Sequence, residues 1–352
     1  MSSSAHIPTV RRLWFWLLVA VGFFLFLYLI RGILLPFVVG IFAAYFLDPA
    51  ADKLEEAGCS RTLATGVITV SFFLMILLLA ALLAPTLLDQ LKQLAEQLPS
   101  YYHTLREALH AQFAHLPGVA ELTTQKNLES YSGKLLSVVQ EFLLGLMQSG
   151  MVILNLLSLL VITPIVSFFL LRDWDRITAK IDGYLPKRYA PTIREQLKRI
   201  DQTLAGYIRG QVHVMLVLGV FYAVGLSIIG LDFAILVGMA GGILVILPYL
   251  GVVIAGALSV GIAYVQFHDW QPVAMVAGFF VIGQMIEGYV LTPKLVGDRV
   301  GLHPLWLIFG MLAGAALFGF VGVLLAIPVS AVLGVLVRFA LQQYLESDYY
   351  NG

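Results

Sequence analysis

The chain has 352 residues, 60% of them hydrophobic and only 12% charged, with a mean hydropathy of +0.90; this excludes an ordinary water-soluble domain and places it in the membrane class. Twenty-one basic residues balance 21 acidic ones, so there is no charge excess to attract nucleic acid or an acidic ligand. The single cysteine, Cys59, excludes an intrachain disulfide and a cysteine-rich metal site.

The chain opens with a short polar stretch ending in Arg11-Arg12, followed by an apolar run over 13–30. That run is long, has no small-residue cleavage site and leads into a second apolar run, so it reads as a retained span rather than a signal peptide. A span needs about 20 apolar residues. That ruler predicts six full spans, near 13–30, 33–47, 62–84, 146–171, 212–229 and 272–291. Two further elements, 234–265 and 305–337, are broken, the first at Pro248 to Gly251 and the second around Gly319-Phe320-Val321-Gly322, with Pro328 just beyond. Each half is too short to cross, so both read as re-entrant hairpins.

Between the third and fourth spans, Leu87, Leu91, Leu94, Leu98, Tyr102, Leu105 and Leu109 recur at three and four, as do Leu128, Tyr131, Leu135, Val138 and Phe142. These stripes predict a helical arm that buries them on each other or on a neighbouring subunit, which points to a homo-oligomer; a hairpin packing only on itself is the plainer alternative. After the fourth span, Ile193, Leu197, Ile200, Leu204 and Ile208 form a similar stripe beside basic residues, expected on the membrane surface or on a subunit. Residues 172–209 hold nine basic and five acidic residues, whereas 85–145 hold four and six. The positive-inside rule therefore puts the first segment and both termini in the cytoplasm and the arm outside.

From Gly210 to Pro293 there is no lysine or arginine, and the acids are Asp232, Asp269 and Glu287. Asp232 and Asp269 are expected in short outer turns. Gly230 to Gly242 resembles Gly301 to Gly314 once one residue is inserted, and the topology points the two copies in opposite directions, as inverted repeats require. Chance matching of small residues explains the same likeness. The division this suggests is 1–84 as scaffold spans, 85–145 as the arm, 146–211 as a span with an inner basic helix, 212–338 as the transport region and 339–352 as a tail. The fold class is all-α: a polytopic membrane protein with an extracytoplasmic helical arm.

Several of these motifs together resemble one family. They are Thr163-Pro164-Ile165-Val166-Ser167 running to Arg172-Asp173, Tyr207-Ile208-Arg209-Gly210-Gln211, Leu247-Pro248-Tyr249-Leu250-Gly251, Gln284 with Glu287 and Pro293, and Leu302-His303-Pro304 before a glycine-rich run ending Ala326-Ile327-Pro328. In this order and spacing they look like the autoinducer-2 exporter family, also called PerM-like permeases. The resemblance covers about Arg12 to Arg338. It implies an inner-membrane transporter and a homo-oligomer, a pentamer among the options. Family members have been linked to export of the furanone signal autoinducer-2 and to sodium/proton antiport, so the resemblance implies transport without fixing the cargo.

The polar residues at membrane depth have two readings each. Glu287, about one turn from the inner end of its span with Gln284 on the same face, either carries a coupling ion, Na+ or H+, or meets Lys294, Arg299 or headgroup water. Pro248 and Gly251 either leave hairpin peptide groups free to bind substrate or ions or merely kink the chain, and Pro328 repeats the choice in the second hairpin. Tyr249 either touches a small polar ligand or sits as an interfacial tyrosine. Thr163, Ser167 and Asn155 suit helix-to-helix hydrogen bonds. Arg172 and Asp173 suit an anchoring charged cap, and Arg209 with Gln211 opens the next span similarly. No His-Glu-x-x-His, Walker loop or Gly-x-Ser-x-Gly is present, so the chain reads as a transporter or a passive channel rather than an enzyme, and as needing no cofactor.

Overall fold

Helix is the regular structure of all the described residues, as expected where the backbone has no water to satisfy it. The computed structural model describes residues 9–113, 150–248, 250–296 and 303–351. In chain order the helices are α1 (Thr9–Leu29), a 3-10 turn (Arg31–Ile33), α2 (Leu34–Glu56), α3 (Arg61–Phe113), α4 (Gly150–Gly183), α5 (Ala190–Ile229), α6 (Ala234–Leu244), α7 (Leu250–Phe267), α8 (Trp270–Ile286), a π-helical segment (Glu287–Val296), α9 (Pro304–Leu345) and α10 (Asp348–Asn351). Seven helices among the described residues are long and apolar enough to cross a membrane, so the chain is an all-α polytopic membrane protein.

Both reversals form, but their arms are not all as short as expected: α7, with 18 residues, is long and apolar enough to cross, and the second arm of α9 runs on from Gly319 to Leu345. In the first, α6 descends from Gly230 and α7 returns beside it, with Gly241 facing Ala255 and no room for a side chain at Gly251, which lies against the Leu244 carbonyl. The open end is closed by Gln266, whose Oε1 accepts from the Asp232 amide and whose Nε2 donates to the Gly230 carbonyl, both at 2.8 Å. The chain therefore returns to the side it entered. In the second hairpin, α9 is not one straight helix: at Gly319 (φ 60, ψ −137) the backbone takes a conformation open to glycine. Its arms fold together so closely that Gly314 and Gly322 meet backbone to backbone and Gly310 faces Ser330.

The hairpins enter from opposite ends. The tip of the first lies beside Gln211 of α5, 18 residues before Ile229, or roughly 27 Å of helix, a length comparable to the thickness of a hydrocarbon layer, about 30 Å. The tip of the second lies at the start of α2, where Arg31 donates to the Leu317 carbonyl at 3.3 Å. Its return arm runs along α2, Val321 and Leu324 packing on Val38 and Val335 and Arg338 reaching the level of Asp48. The two overlap side by side, with Ile246 at the first tip against the Val38, Val321 and Leu324 cluster. Pro328 is not at a tip; it is buried in the return arm, nine residues past the reversal.

Small residues set the closest packing. Gly238 and Gly242, one turn apart on α6, lie against Ala223 and Gly219 of α5 without space for a Cβ, the approach that small residues permit between membrane helices. α5 stops at Gly230 in the left-handed conformation (φ 82), and Leu231 N–H closes back on the Leu226 carbonyl at 3.0 Å, a glycine-terminated helix end. At the far end, the basic stripe belongs to α5 itself, one continuous helix of 40 residues. Its Tyr207 and Ile208 are buried within this chain, so the later part of that stripe does not lie on the membrane surface.

As far as Phe113, the arm continues its span as one helix. α3 runs 53 residues without a break, about 80 Å, and places Leu94 in the core cluster with Leu231 and Phe233 of the first hairpin. The stripe therefore finds part of its partner within the same chain. The second arm stripe, Leu128 to Phe142, lies outside the described residues.

Candidate functional site

The first hairpin tip is held rather than bare. The Val245 carbonyl accepts from Gln211 Nε2 at 3.2 Å. The Leu247 carbonyl accepts from the Gly251 amide at 2.9 Å and the Pro248 carbonyl from the Leu250 amide at 2.8 Å. Three carbonyls of the tip, those of Val245, Leu247 and Pro248, are therefore paired, with Gln211 fastening the first of them. Tyr249 lies outside the described residues.

Behind Gln211 stands a charged cluster joining α2 to α5. Arg209 donates from Nε to the Tyr45 carbonyl at 2.8 Å and from Nη2 to Asp48 Oδ2 at 3.1 Å. Asp48 Oδ1 also accepts from Arg61 at 3.2 Å, which contacts Asp52 and Glu55 and donates to the Leu171 carbonyl at 3.0 Å. Tyr45 donates to Asp201 at 3.1 Å. Each partner pair keeps about a third of its side chain exposed or less at Asp48 and Arg209, so the cluster is a partly dried network rather than a surface ornament.

This network is a partition between two cavities. A larger one of about 1140 Å³ is bounded by α2, α5 and the return arm of α9, and its lining includes three acids (Asp48, Asp52, Asp201) and three arginines (Arg199, Arg209, Arg338). A smaller one of about 310 Å³ lies on the other side of Asp48, Asp201 and Arg209, among Ile41, Leu170, Leu171 and Trp174. Asp48, Asp201 and Tyr45 lie outside the motifs that mark the other candidate positions. The signal was present: Asp48, Asp52 and Glu55 recur at four and three, one face of a helix, directly after the apolar run that ends at Leu47.

Glu287 occupies a different place, on the α8 side of the core. It opens the π-helical segment that runs on to Val296, so it is more than two turns from the end of helical backbone rather than one. Such π segments leave the regular bonding pattern and are common where function needs it. Pro293, inside the segment, has no amide to give. Glu287 is half-buried, with Oε2 shielded and without a hydrogen-bond partner among the described residues. The Tyr222 hydroxyl is in the same condition, its ring stacked on Phe280 at 4.7 Å and its hydroxyl against Gly283, one turn before Glu287. Gln284 points outward and is exposed, so the Gln284 and Glu287 pair does not face the same environment.

The remaining polar positions join helices to one another or cap them. Ser167 donates to the Gly40 carbonyl at 3.0 Å and Thr163 to the Pro36 carbonyl at 3.3 Å, joining α4 to α2 as expected of hydroxyls between membrane helices. Arg172 pairs with its neighbour Asp173 at 2.7 Å, and its guanidinium lies over the Phe168 and Phe169 rings. Asp232 and Asp269 stand in turns, Asp269 capping α8. His303 and Pro304 start α9 as cap and first residue. The side chain of Asn155 lies outside the described residues.

Comparison with known proteins gives the same reading from a different direction. The profile described as AI-2E family transporter matches residues 17–342. The chain is 28% identical to YrrI of Bacillus subtilis (strain 168), named as a transport protein, over 90% of this chain and 89% of that one. It is 27% identical to PerM of Escherichia coli (strain K12), named as a permease, over 90% of each, and 26% identical to YueF of Bacillus subtilis (strain 168), named as a transport protein, over 95% of this chain and 92% of that one.

Proposed function

Because this chain belongs to the AI-2E transporter family, we propose that it is a secondary transporter that moves a small polar solute across a bacterial inner membrane by alternating access. The observation that carries this reading is the pair of hairpins inserted from opposite ends and overlapping at Ile246, Val321 and Leu324. A unit containing both can expose one side and then the other by sliding on α2 and α5, without opening a continuous pore. The charge-balanced cavity at Asp48 and Arg209 suits a polar, electrically neutral solute, a class that includes the furanone quorum-sensing signal. Glu287, with its unpartnered oxygen beside Tyr222, is the seat for the coupling ion, Na+ or H+. The unpacked apolar faces of α1 and of the first arm of α9, with Leu18, Leu29, Leu305 and Leu312 exposed, suit lipid and neighbouring copies in a homo-oligomer.

The test uses purified protein in liposomes. A Na+ or pH gradient should drive saturable accumulation of the furanone signal or of a competing small polyol, and Glu287→Gln should abolish coupling while leaving the unfolding temperature unchanged. Unsaturable conductance that survives Glu287→Gln would replace the transporter with a passive channel.

A further inference from the structure

The first hairpin begins on a helix that cannot hold itself. α6 has 11 residues, and its N-cap position is Phe233, in the left-handed conformation (φ 59) and with no side-chain cap. A bulky aromatic at positive φ is strained, and a helix this short depends on its surroundings. The first four amides of any helix also lack partners within it. One of these, the Leu236 amide, is taken by Gln90 Oε1 at 2.9 Å, from a residue 146 positions away on α3. Beside it, the Tyr101 hydroxyl donates to Asp232 Oδ2 at 3.3 Å, and the Tyr101 ring meets Phe233 edge-on at 6.3 Å between centroids. Leu94, between them on α3, is 7% exposed and belongs to the same core cluster as Phe233.

We propose that the arm is the clasp of the first hairpin: Gln90 supplies from α3 the cap that α6 lacks, Tyr101 pins the turn before it, and together they set how readily the hairpin tip becomes exposed. Gln90 and Tyr101 are thus positioning residues. They touch neither cavity at Asp48 nor Glu287, and act through α6. This goes beyond the transport reading and does not depend on it, since hairpin exposure is measured with no solute or gradient. Anything that shifts the arm, from a neighbouring copy to a ligand outside, then acts on the hairpin through these two contacts.

The experiment places one reporter cysteine at Leu250, half-exposed at the start of α7, in a Cys59→Ser background. Maleimide consumes the thiolate, so its rate at Leu250→Cys follows access to water. Gln90→Leu keeps the side-chain size and removes the acceptor; the labelling rate should rise about five-fold. Gln90→Glu keeps an acceptor at the same reach and suits a helix N-terminus, so it should return the rate to within about two-fold of wild type. Tyr101→Phe should raise the rate by a smaller factor, about two-fold. A wild-type rate in folded Gln90→Leu overturns the proposal, as does a Gln90→Glu rate equal to that of Gln90→Leu. Should Gln90→Leu fail to fold, Tyr101→Phe decides by the same readout, a wild-type rate again overturning the clasp.

Discussion

Gln211 donates its side-chain amide to the Val245 carbonyl at 3.2 Å, and so ties the end of α6 to the middle of α5. Val245 is 4% exposed, so that carbonyl has little water to fall back on. Gln211→Leu is of similar size but leaves the acceptor unpaired in a dry site, a loss of about 1–3 kcal/mol. Its unfolding temperature in detergent should fall, and amide exchange over 245–251 should quicken. Gln211→Glu should be no better, because an ionised carboxylate faces the carbonyl with no proton to give. An unchanged unfolding temperature in Gln211→Leu would mean that packing alone holds the tip.

The architecture was legible where a physical signal is local. Pro248 with Gly251, and Gly319 with Gly322, announce reversals because proline interrupts helix bonding, Gly319 takes a backbone conformation open to glycine, and Gly251 and Gly322 lie too close to facing backbone for a side chain; the long apolar runs announce spans because a bilayer has a fixed thickness. Ser167 and Thr163 followed from the cost of a hydroxyl in hydrocarbon. What could not be read was pairing at a distance. Whether the Val245 carbonyl is bare or paired depends on Gln211, 34 residues before it in sequence, and whether the arm stripe meets a second copy or its own chain depends on Leu94 joining the core cluster that holds Phe233. Glu287 was visible as a charge in an apolar run, but the π-helical turn that begins there leaves no periodic mark in so short a segment. Asp48 is hidden in the sequence because the apolar run stops at Leu47 while its helix continues to Glu56.

The α5 and α6 seam separates two glycines that look alike in sequence. A Cβ at Gly242 would run into the backbone of Gly219 and approach the Met215 carbonyl at 2.9 Å, whereas at Gly261 it would meet nothing within 4 Å. Backbone cannot rotate away as a side chain can, so Gly242→Ala should push α6 off α5 at a cost of about 1–3 kcal/mol. Gly261→Ala, in the middle of α7, should be neutral or raise stability by up to about 1 kcal/mol through helix propensity. Unfolding temperatures of the two variants measured side by side check this; equal values would mean that the seam is looser than its geometry.

The reversal at Gly319 has a covalent test. Were α9 a straight helix, Gly310 and Ser330 would lie about 30 Å apart; in the folded hairpin a Cβ on Gly310 comes within 2.7 Å of Ser330 Oγ. Cysteines at both positions therefore fall within the short Cβ separation, about 3.5–4.5 Å, that a disulfide needs. In a Cys59→Ser background, Gly310→Cys with Ser330→Cys should oxidise within one subunit, seen as a two-hydrogen mass loss in a monomer band and as a linked peptide after digestion. Phe309→Cys with Ser330→Cys is the control: Phe309 is 62% exposed on the neighbouring face of the helix, and this pair should remain reduced under the same oxidant. Equal cross-linking of both pairs, or bonding only between subunits, would remove the hairpin and with it the opposed pair of insertions on which alternating access depends.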